Sequence, residues 1–114
     1  MNWSGWFYAV AYKDFLNLLG IGVRASKYEL GTFACEKALK QNRLKLLILD
    51  KGLAPKTIKS FNSLCEDNGV ELVMIDKGDF QNRTGMTYGV IGVKNKNFAE
   101  ALINKLNLNH LGDK

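Results

Sequence analysis

Three short apolar segments, separated by longer stretches with helical patterning, constrain the fold of this chain more than any other feature of its sequence. They are residues 45–49 (KLLIL), 70–75 (VELVMI) and 88–93 (YGVIGV). Apolar runs of about 4–8 residues between turn signals are typical of buried strands, and they are far too short to span a membrane. We therefore predict one buried strand from each segment.

The stretches between these strands carry the apolar spacing of amphipathic helices. A first helix is predicted to begin near Lys13, and a second to run from Gly31 to about Asn42. A third begins at Pro55, because proline suits the first turn of a helix. A last helix is predicted over residues 97–106.

Two connections complete the predicted order of elements. Residues 26–30 form an extended link at the edge of the sheet, and residues 76–87 form a polar connection with room for one helical turn. Alternating helices and strands imply the α/β class, with a three-layer α/β/α sandwich. Strands joined through a helix are expected to pair in parallel, with right-handed crossovers.

The length of 114 residues suits one domain with one core, which we place at residues 13–106. Residues 1–12 form an aromatic N-terminal extension without a charged residue, and residues 107–114 form a C-terminal tail. The start has no basic segment and no clear cleavage site, so we expect no signal peptide and a cytoplasmic protein.

Positive charge is concentrated in one third of the chain. Residues 13–45 contain seven basic and three acidic side chains, which accounts for +4 of the formal net charge of +5. The basic residues are Lys13, Arg24, Lys27, Lys37, Lys40, Arg43 and Lys45. Such a local excess predicts an anionic partner at one face of the domain.

The sequence offers little for catalysis, so we expect no enzyme activity and no metal site. The single histidine, His110, lies in the predicted tail, and no Cys-x-x-Cys pair is present. Cys35 and Cys65 fall inside apolar helical patterns, which predicts buried free thiols in a reducing compartment. The acidic residues near strand ends are expected to satisfy backbone groups in turns: Asp50, Asp76 and Asp79.

Residues 20–25 (GIGVRA) match the glycine pattern of a dinucleotide-binding loop. That loop requires its glycines between a strand and the start of a helix, whereas these follow a helical segment. We therefore expect no nucleotide cofactor. Gly20 and Gly22 are expected to loosen the end of the first helix instead.

The second predicted helix has two distinct faces when its residues are placed at 100° intervals. The predicted core face comprises Gly31, Ala34, Cys35, Ala38, Leu39 and Asn42, and the opposite face comprises Phe33, Glu36, Lys37 and Lys40. Two interpretations of Phe33 stay open: it stacks on a nucleic-acid base while the lysines meet phosphates, or it packs under a neighbouring loop. The amides at the helix start, from Gly31 to Phe33, suit an anion.

Residues 79–88 (DFQNRTGMTY) form a second candidate surface. Asn82 and Arg83 supply hydrogen-bond donors, Gly85 supplies flexibility, and Met86 is expected to be an exposed apolar contact. The alternative is a solvated connector without a binding role.

The order of these features resembles the superfamily of ribosomal L-seven-Ae and L-thirty-e proteins, and is most similar to its small bacterial YlxQ-like branch. The resemblance covers about residues 13–106. The matching features are Leu18-Leu19-Gly20-Ile21, Arg24-Ala25, Gly31 with Lys37, the strand at 45–49, Asp50 and Pro55. It implies a small mixed sheet inside the sandwich, and RNA binding through the start of the second helix and the loop before the last strand.

The resemblance implies a non-enzymatic RNA-binding protein of the translation apparatus, with structured RNA, including that of the ribosome, as its partner. The implied site comprises Gly31, Thr32, Phe33, Lys37, Lys40 and Arg43, closed from the loop by Asn82, Arg83, Gly85 and Met86. Family members that read kink-turns carry an asparagine–glutamate pair where this chain has Phe33 and Ala34. Two alternatives stay open: a protein-interaction module that has lost kink-turn recognition, and a recognition subunit of an RNA-modifying enzyme.

Overall fold

The computed structural model describes the backbone of residues 3–107 and the side chains of residues 9–107. In chain order the elements are α1 (Trp3–Arg24), β1 (Tyr28–Leu30), α2 (Thr32–Lys40), β2 (Leu46–Asp50), α3 (Pro55–Asn68), β3 (Glu71–Ile75), α4 (Asp79–Thr84), β4 (Val90–Val93) and α5 (Lys96–Leu106). The α/β class is confirmed, as are the three predicted strands, whose ends lie within two residues of the predicted ends. The residues of the predicted tail beyond Asn107, His110 among them, lie outside the described part.

The four strands form one mixed sheet in the order β1-β4-β2-β3. Strands β2 and β3 are parallel, with Ile48 opposite Val73. Between them α3 has 14 residues, a length of roughly 21 Å that returns the chain along the whole sheet. The expected parallel pairing through a helix is therefore confirmed for these two strands.

That expectation is wrong for β4, which runs antiparallel to both of its neighbours, β1 and β2. The helix before it, α4, has only six residues, which is roughly 9 Å and too short to cross the sheet. The chain therefore turns back at the edge where β3 ended. It enters the sheet between β1 and β2, and this order makes the sheet mixed.

The sheet separates two helical layers, as the alternation of side chains along β2 shows. Leu46 and Ile48 belong to the core under α1, α4 and α5, whereas Leu47 and Leu49 belong to the core under α2 and α3. Because successive strand residues point to opposite faces, a strand buried on both sides must be apolar throughout. The three-layer sandwich is confirmed.

Helix α1 begins at Trp3, not near Lys13 as predicted. Ala11 is buried, as are Phe15 and Leu19, so the apolar stripe at four-residue intervals already includes a residue before Lys13. The uncharged segment also contains no proline that would stop a helix. These two features explain why α1 starts earlier than the charged residues suggested.

The prediction that Gly20 and Gly22 loosen the end of α1 is wrong, since the helix continues through both residues to Arg24. Side-chain atoms of Tyr28 and Phe98 occupy the space that a methyl group on Gly22 would need. The hydroxyl of Tyr28 donates a hydrogen bond to the carbonyl of Leu19. Gly22 therefore serves close packing between α1, β1 and α5.

Cys35 and Cys65 are buried and free, as predicted. Within residues 3–107, no helix combines the length and apolarity needed to cross a bilayer.

Candidate functional site

Gly31 places the start of α2 next to the loop that precedes β4. Its φ of 98° and ψ of 163° lie in a region that is essentially open only to glycine. Its amide donates to the carbonyl of Val90 over 2.9 Å. A methyl group built on Gly31 would lie 3.6 Å from the ring of Tyr88. The start of α2 and the loop before β4 are the two regions through which the resemblance implies RNA binding. They therefore meet at Gly31.

The start of α2 has no side-chain cap. The amide of Gly31 is already bonded, contrary to the sequence expectation, so the amides available to an anion begin at Thr32. Helix starts leave their first amides unsatisfied and carry a partial positive charge. Thr32 and Phe33 are both exposed residues at this uncapped helix start.

Phe33 is 79% exposed, which excludes the alternative that it packs under a neighbouring loop. Among the rings of residues 9–107, none stacks on it. The opposite face of α2 is buried through Cys35, Ala38 and Leu39, as predicted. Asn42 is exposed and lies beyond the end of the helix with a φ of 58°, so its predicted place on the core face is wrong.

A shallow groove of about 320 Å³ runs along the exposed face of α2. Its lining consists of Phe33, Glu36, Lys37, Lys40 and Gln41. Lys40 forms an exposed pair with Glu36 at 3.4 Å, a contact that contributes little in water. Among the side chains of residues 9–107, no carboxylate lies within ion-pair distance of Lys37. Positive charge therefore remains available one helical turn from the Phe33 ring.

Arg43 does not line this groove. It follows the end of α2, and its guanidinium donates to Glu29 and to Gln41, each over 2.8 Å. The structure therefore places Arg43 at the far end of α2 from Gly31, with its charge partly neutralised.

The predicted loop residues lie elsewhere. Arg83 donates from Nη1 to the Oδ1 of Asn17, which directs it toward α1 on the opposite face of the sheet from α2. Asn82 is exposed on α4. Gly85 has a φ of 77° and ends α4 in the left-handed conformation, so it acts as a helix cap instead of a flexible hinge.

The expected exposure of Met86 is wrong, because it packs half-buried against the core under α1, α4 and α5. Its amide donates to the hydroxyl of Thr84 over 3.1 Å. The left-handed turn at Gly85 redirects the chain, and the side chain then points inward. Sequence patterning could not reveal this, since a single methionine in a polar stretch has no periodic signal.

Tyr88 lies within the predicted surface 79–88, but the sequence analysis did not single it out as a candidate site residue. It is 41% exposed and lies against Gly31, so two exposed aromatic side chains flank the start of α2. The available signal was an aromatic residue at the first position of the predicted strand 88–93. Tyr88 also lines a second cavity of about 240 Å³, next to Asp50 and Lys77 at the ends of β2 and β3.

Of the three acidic turn residues, Asp50 satisfies backbone groups as predicted, whereas the side chains of Asp76 and Asp79 contact other side chains instead. Asp50 accepts hydrogen bonds from the amides of Gly52 and Gly78 over 2.6 and 2.9 Å. Asp76 pairs with Lys51 at 3.0 Å. Asp79 accepts a hydrogen bond from the hydroxyl of Tyr12 over 2.6 Å. Each acid therefore fixes a turn or joins two elements.

Comparison with known proteins identifies solved structures with the same fold, but it does not assign the chain to a family. No model of a known protein family matches the sequence, and no curated protein matches it. Among solved structures, a protein of unknown function from Bacillus halodurans C superposes with a TM-score of 0.76 at 24% identity, covering 82% of this chain and 96% of that one. The Giardia lamblia 15.5kD RNA binding protein superposes with a TM-score of 0.71 at 19% identity, covering 86% and 88%. At these identities the likeness shows a shared fold.

Proposed function

We propose that this protein binds RNA without catalysing a reaction, and that it does so through the start of α2. One observation carries the proposal: an almost fully exposed phenylalanine lies one helical turn from a lysine with no ion-pair partner among the described residues. An exposed ring with a nearby cation suits a base and the phosphate that follows it. The RNA-binding protein that shares this fold supports the same class of partner.

The proposed roles follow from position. The uncapped amides after Gly31 and the side chain of Lys37 contact phosphates, and Lys40 adds charge on the same exposed face. The rings of Phe33 and Tyr88 stack on unpaired bases. Stacking tolerates every base, because each one has a π-face.

This arrangement favours a mode of recognition different from that of kink-turn readers. Phe33 and Ala34 cannot donate or accept side-chain hydrogen bonds, so they cannot read base edges. We infer binding through stacking and backbone contacts to structured RNA in the cytoplasm, within the translation apparatus. We also propose that the chain is a member of the L-seven-Ae and L-thirty-e superfamily, in its YlxQ-like branch.

The test starts with crosslinking in cells and sequencing of the bound RNA, which identifies the partner. Affinity of the purified chain for that RNA is then measured across salt. We expect a linear fall of log K with log salt, and a loss of roughly ten- to a hundredfold for Lys37→Glu/Lys40→Glu. The double variant Lys96→Glu/Lys105→Glu, on α5 across the sheet, makes the same change in charge and is expected to bind normally. Salt-independent affinity, or equal losses in both variants, would refute the proposal.

A further inference from the structure

A separate groove of about 570 Å³ lies between the C-terminal half of α1 and α4, on the opposite face of the sheet from α2. Aliphatic side chains of Leu16, Ile21 and Val23 contribute to its lining. Ile21 is 61% exposed. Ile21 thus remains uncovered within the described chain.

Two arginines lie at this groove, Arg24 on α1 and Arg83 on α4. Among the side chains of residues 9–107, neither guanidinium has a carboxylate at ion-pair distance, and none of the described residues that line the groove is acidic. Arg83 is held in place by its bond to Asn17. Arg24 follows Asn17 by seven residues, so the Cα atoms of Arg24 and Asn17 are roughly 10 Å apart along α1.

We propose that this groove binds an acidic, amphipathic segment of a protein partner. An aliphatic or aromatic side chain of that segment covers Ile21, and two of its carboxylates pair with Arg24 and Arg83. Charge complementarity carries this choice of occupant, because arginine forms planar two-point contacts with carboxylates.

An aliphatic surface distinguishes this groove from the interface at α2. RNA contacts depend on cations and on aromatic rings that stack, and none of the residues that line this groove is aromatic. The two surfaces lie on opposite faces of the sheet, so an RNA and a protein segment can be bound together. The two proposals can therefore fail independently.

The test is a selection from a displayed library of random 12-residue peptides against the full chain. We expect enriched peptides with two or more carboxylates around an aliphatic or aromatic residue. Arg24→Glu/Arg83→Glu and Ile21→Ser are each expected to weaken their binding by roughly tenfold or more. Because both sites are exposed, these variants are expected to fold normally.

A blocking variant tests the position without a change in charge. A methyl group on Gly20, which also lines the groove, would meet nothing within 4 Å, so Gly20→Phe can fill the groove and should abolish peptide binding. Lys59→Glu/Lys105→Glu is the matched charge control and should bind like the wild type. Failure to enrich any sequence, peptides without acidic residues, or peptides insensitive to Gly20→Phe would overturn the proposal. It would also be overturned if the cellular RNA, and no peptide, lost affinity in Arg24→Glu/Arg83→Glu.

Discussion

The hydroxyl of Tyr12 donates a hydrogen bond to the carboxylate of Asp79 over 2.6 Å and joins α1 to the start of α4. The same oxygen accepts a hydrogen bond from the amide of Asp76 over 2.9 Å. Burial and the bond to Asp79 both raise the pKa of Tyr12 above its ordinary range. This one side chain therefore fixes the turn after β3 against the first helix.

Removal of that hydroxyl should weaken the fold. We expect Tyr12→Phe to lower the free energy of unfolding by about 1.5 kcal/mol, because a hydrogen bond to a charged group is lost. The measurement is urea denaturation followed by circular dichroism. Tyr88→Phe is the matched control and should change stability by less than about 0.5 kcal/mol, since its hydroxyl has no bond among the described residues. Equal effects of the two variants would contradict the role assigned to Tyr12.

Gly20 and Gly22 should respond to alanine in opposite directions, although both lie inside α1. Gly20→Ala is expected to stabilise by about 0.5–1 kcal/mol, because alanine favours the helix and the space beside Gly20 is open. Gly22→Ala is expected to destabilise by roughly 1–3 kcal/mol, because its methyl group would overlap Tyr28 and Phe98. Thermal unfolding of both variants decides this. Stabilisation by both would show that Tyr28 and Phe98 move aside freely.

The buried thiols should make stability depend on alkaline pH. Burial raises the pKa of Cys35 to about 12 and that of Cys65 to about 11. In the unfolded chain thiols deprotonate near an ordinary pKa of about 8.5, so the unfolded state loses protons first as the pH rises. The contribution of the two thiols to the free energy of unfolding is therefore fully present below about pH 8, and it is lost progressively as the pH rises above that value. Denaturant midpoints at about pH 8 and pH 10 measure this fall.

The variant Cys35→Ala/Cys65→Ala is the control for that measurement, and it should show a smaller fall over the same interval. Reaction of the native chain with a thiol reagent should also be slow and limited by opening of the structure. A fall of equal size in both proteins would assign the pH dependence to other groups.

Phe33 should contribute to binding and not to folding. Because the Phe33 side chain is 79% exposed, the variant Phe33→Ala is expected to change the free energy of unfolding by less than about 0.5 kcal/mol. Affinity for the cognate RNA should fall by about 1–3 kcal/mol if one base stacks on the ring. Phe33→Tyr keeps the stacking surface and should retain most of the affinity, as fluorescence anisotropy can measure. A Phe33→Ala variant with wild-type affinity would remove Phe33 from the interface.

Elements with local sequence signals were predictable within a few residues. Strand β2 was predicted at 45–49 and lies at Leu46–Asp50, because a run of apolar residues is the direct requirement of burial on both faces. Helix α3 begins at Pro55 and ends before Gly69, whose φ of 66° suits a glycine cap. The exposed face of α2 was also predictable, because a spacing of about 100° per residue assigns each side chain to one face of the helix.

Features that depend on the backbone conformation of a turn, or on residues far apart in the chain, were not predictable from the sequence. The insertion of β4 between β1 and β2 has no local signal, since it results from a choice among strand partners. The inward turn of Met86 depends on the backbone at Gly85, and the packing role of Gly22 depends on Tyr28 and Phe98. The contact between Gly31 and Tyr88 likewise joins residues far apart in the chain.

The most direct measurement is ultraviolet crosslinking of the full chain to its cellular RNA, followed by trypsin digestion and mass spectrometry. The start of α2 lies in the tryptic peptide 28–37, which contains Phe33, and Tyr88 lies in the peptide 84–94. We expect crosslinked nucleotides on these two peptides, and their loss from the first in Phe33→Ala. Crosslinks confined to the peptide 14–24 of α1, with none at the start of α2, would contradict RNA binding at this site.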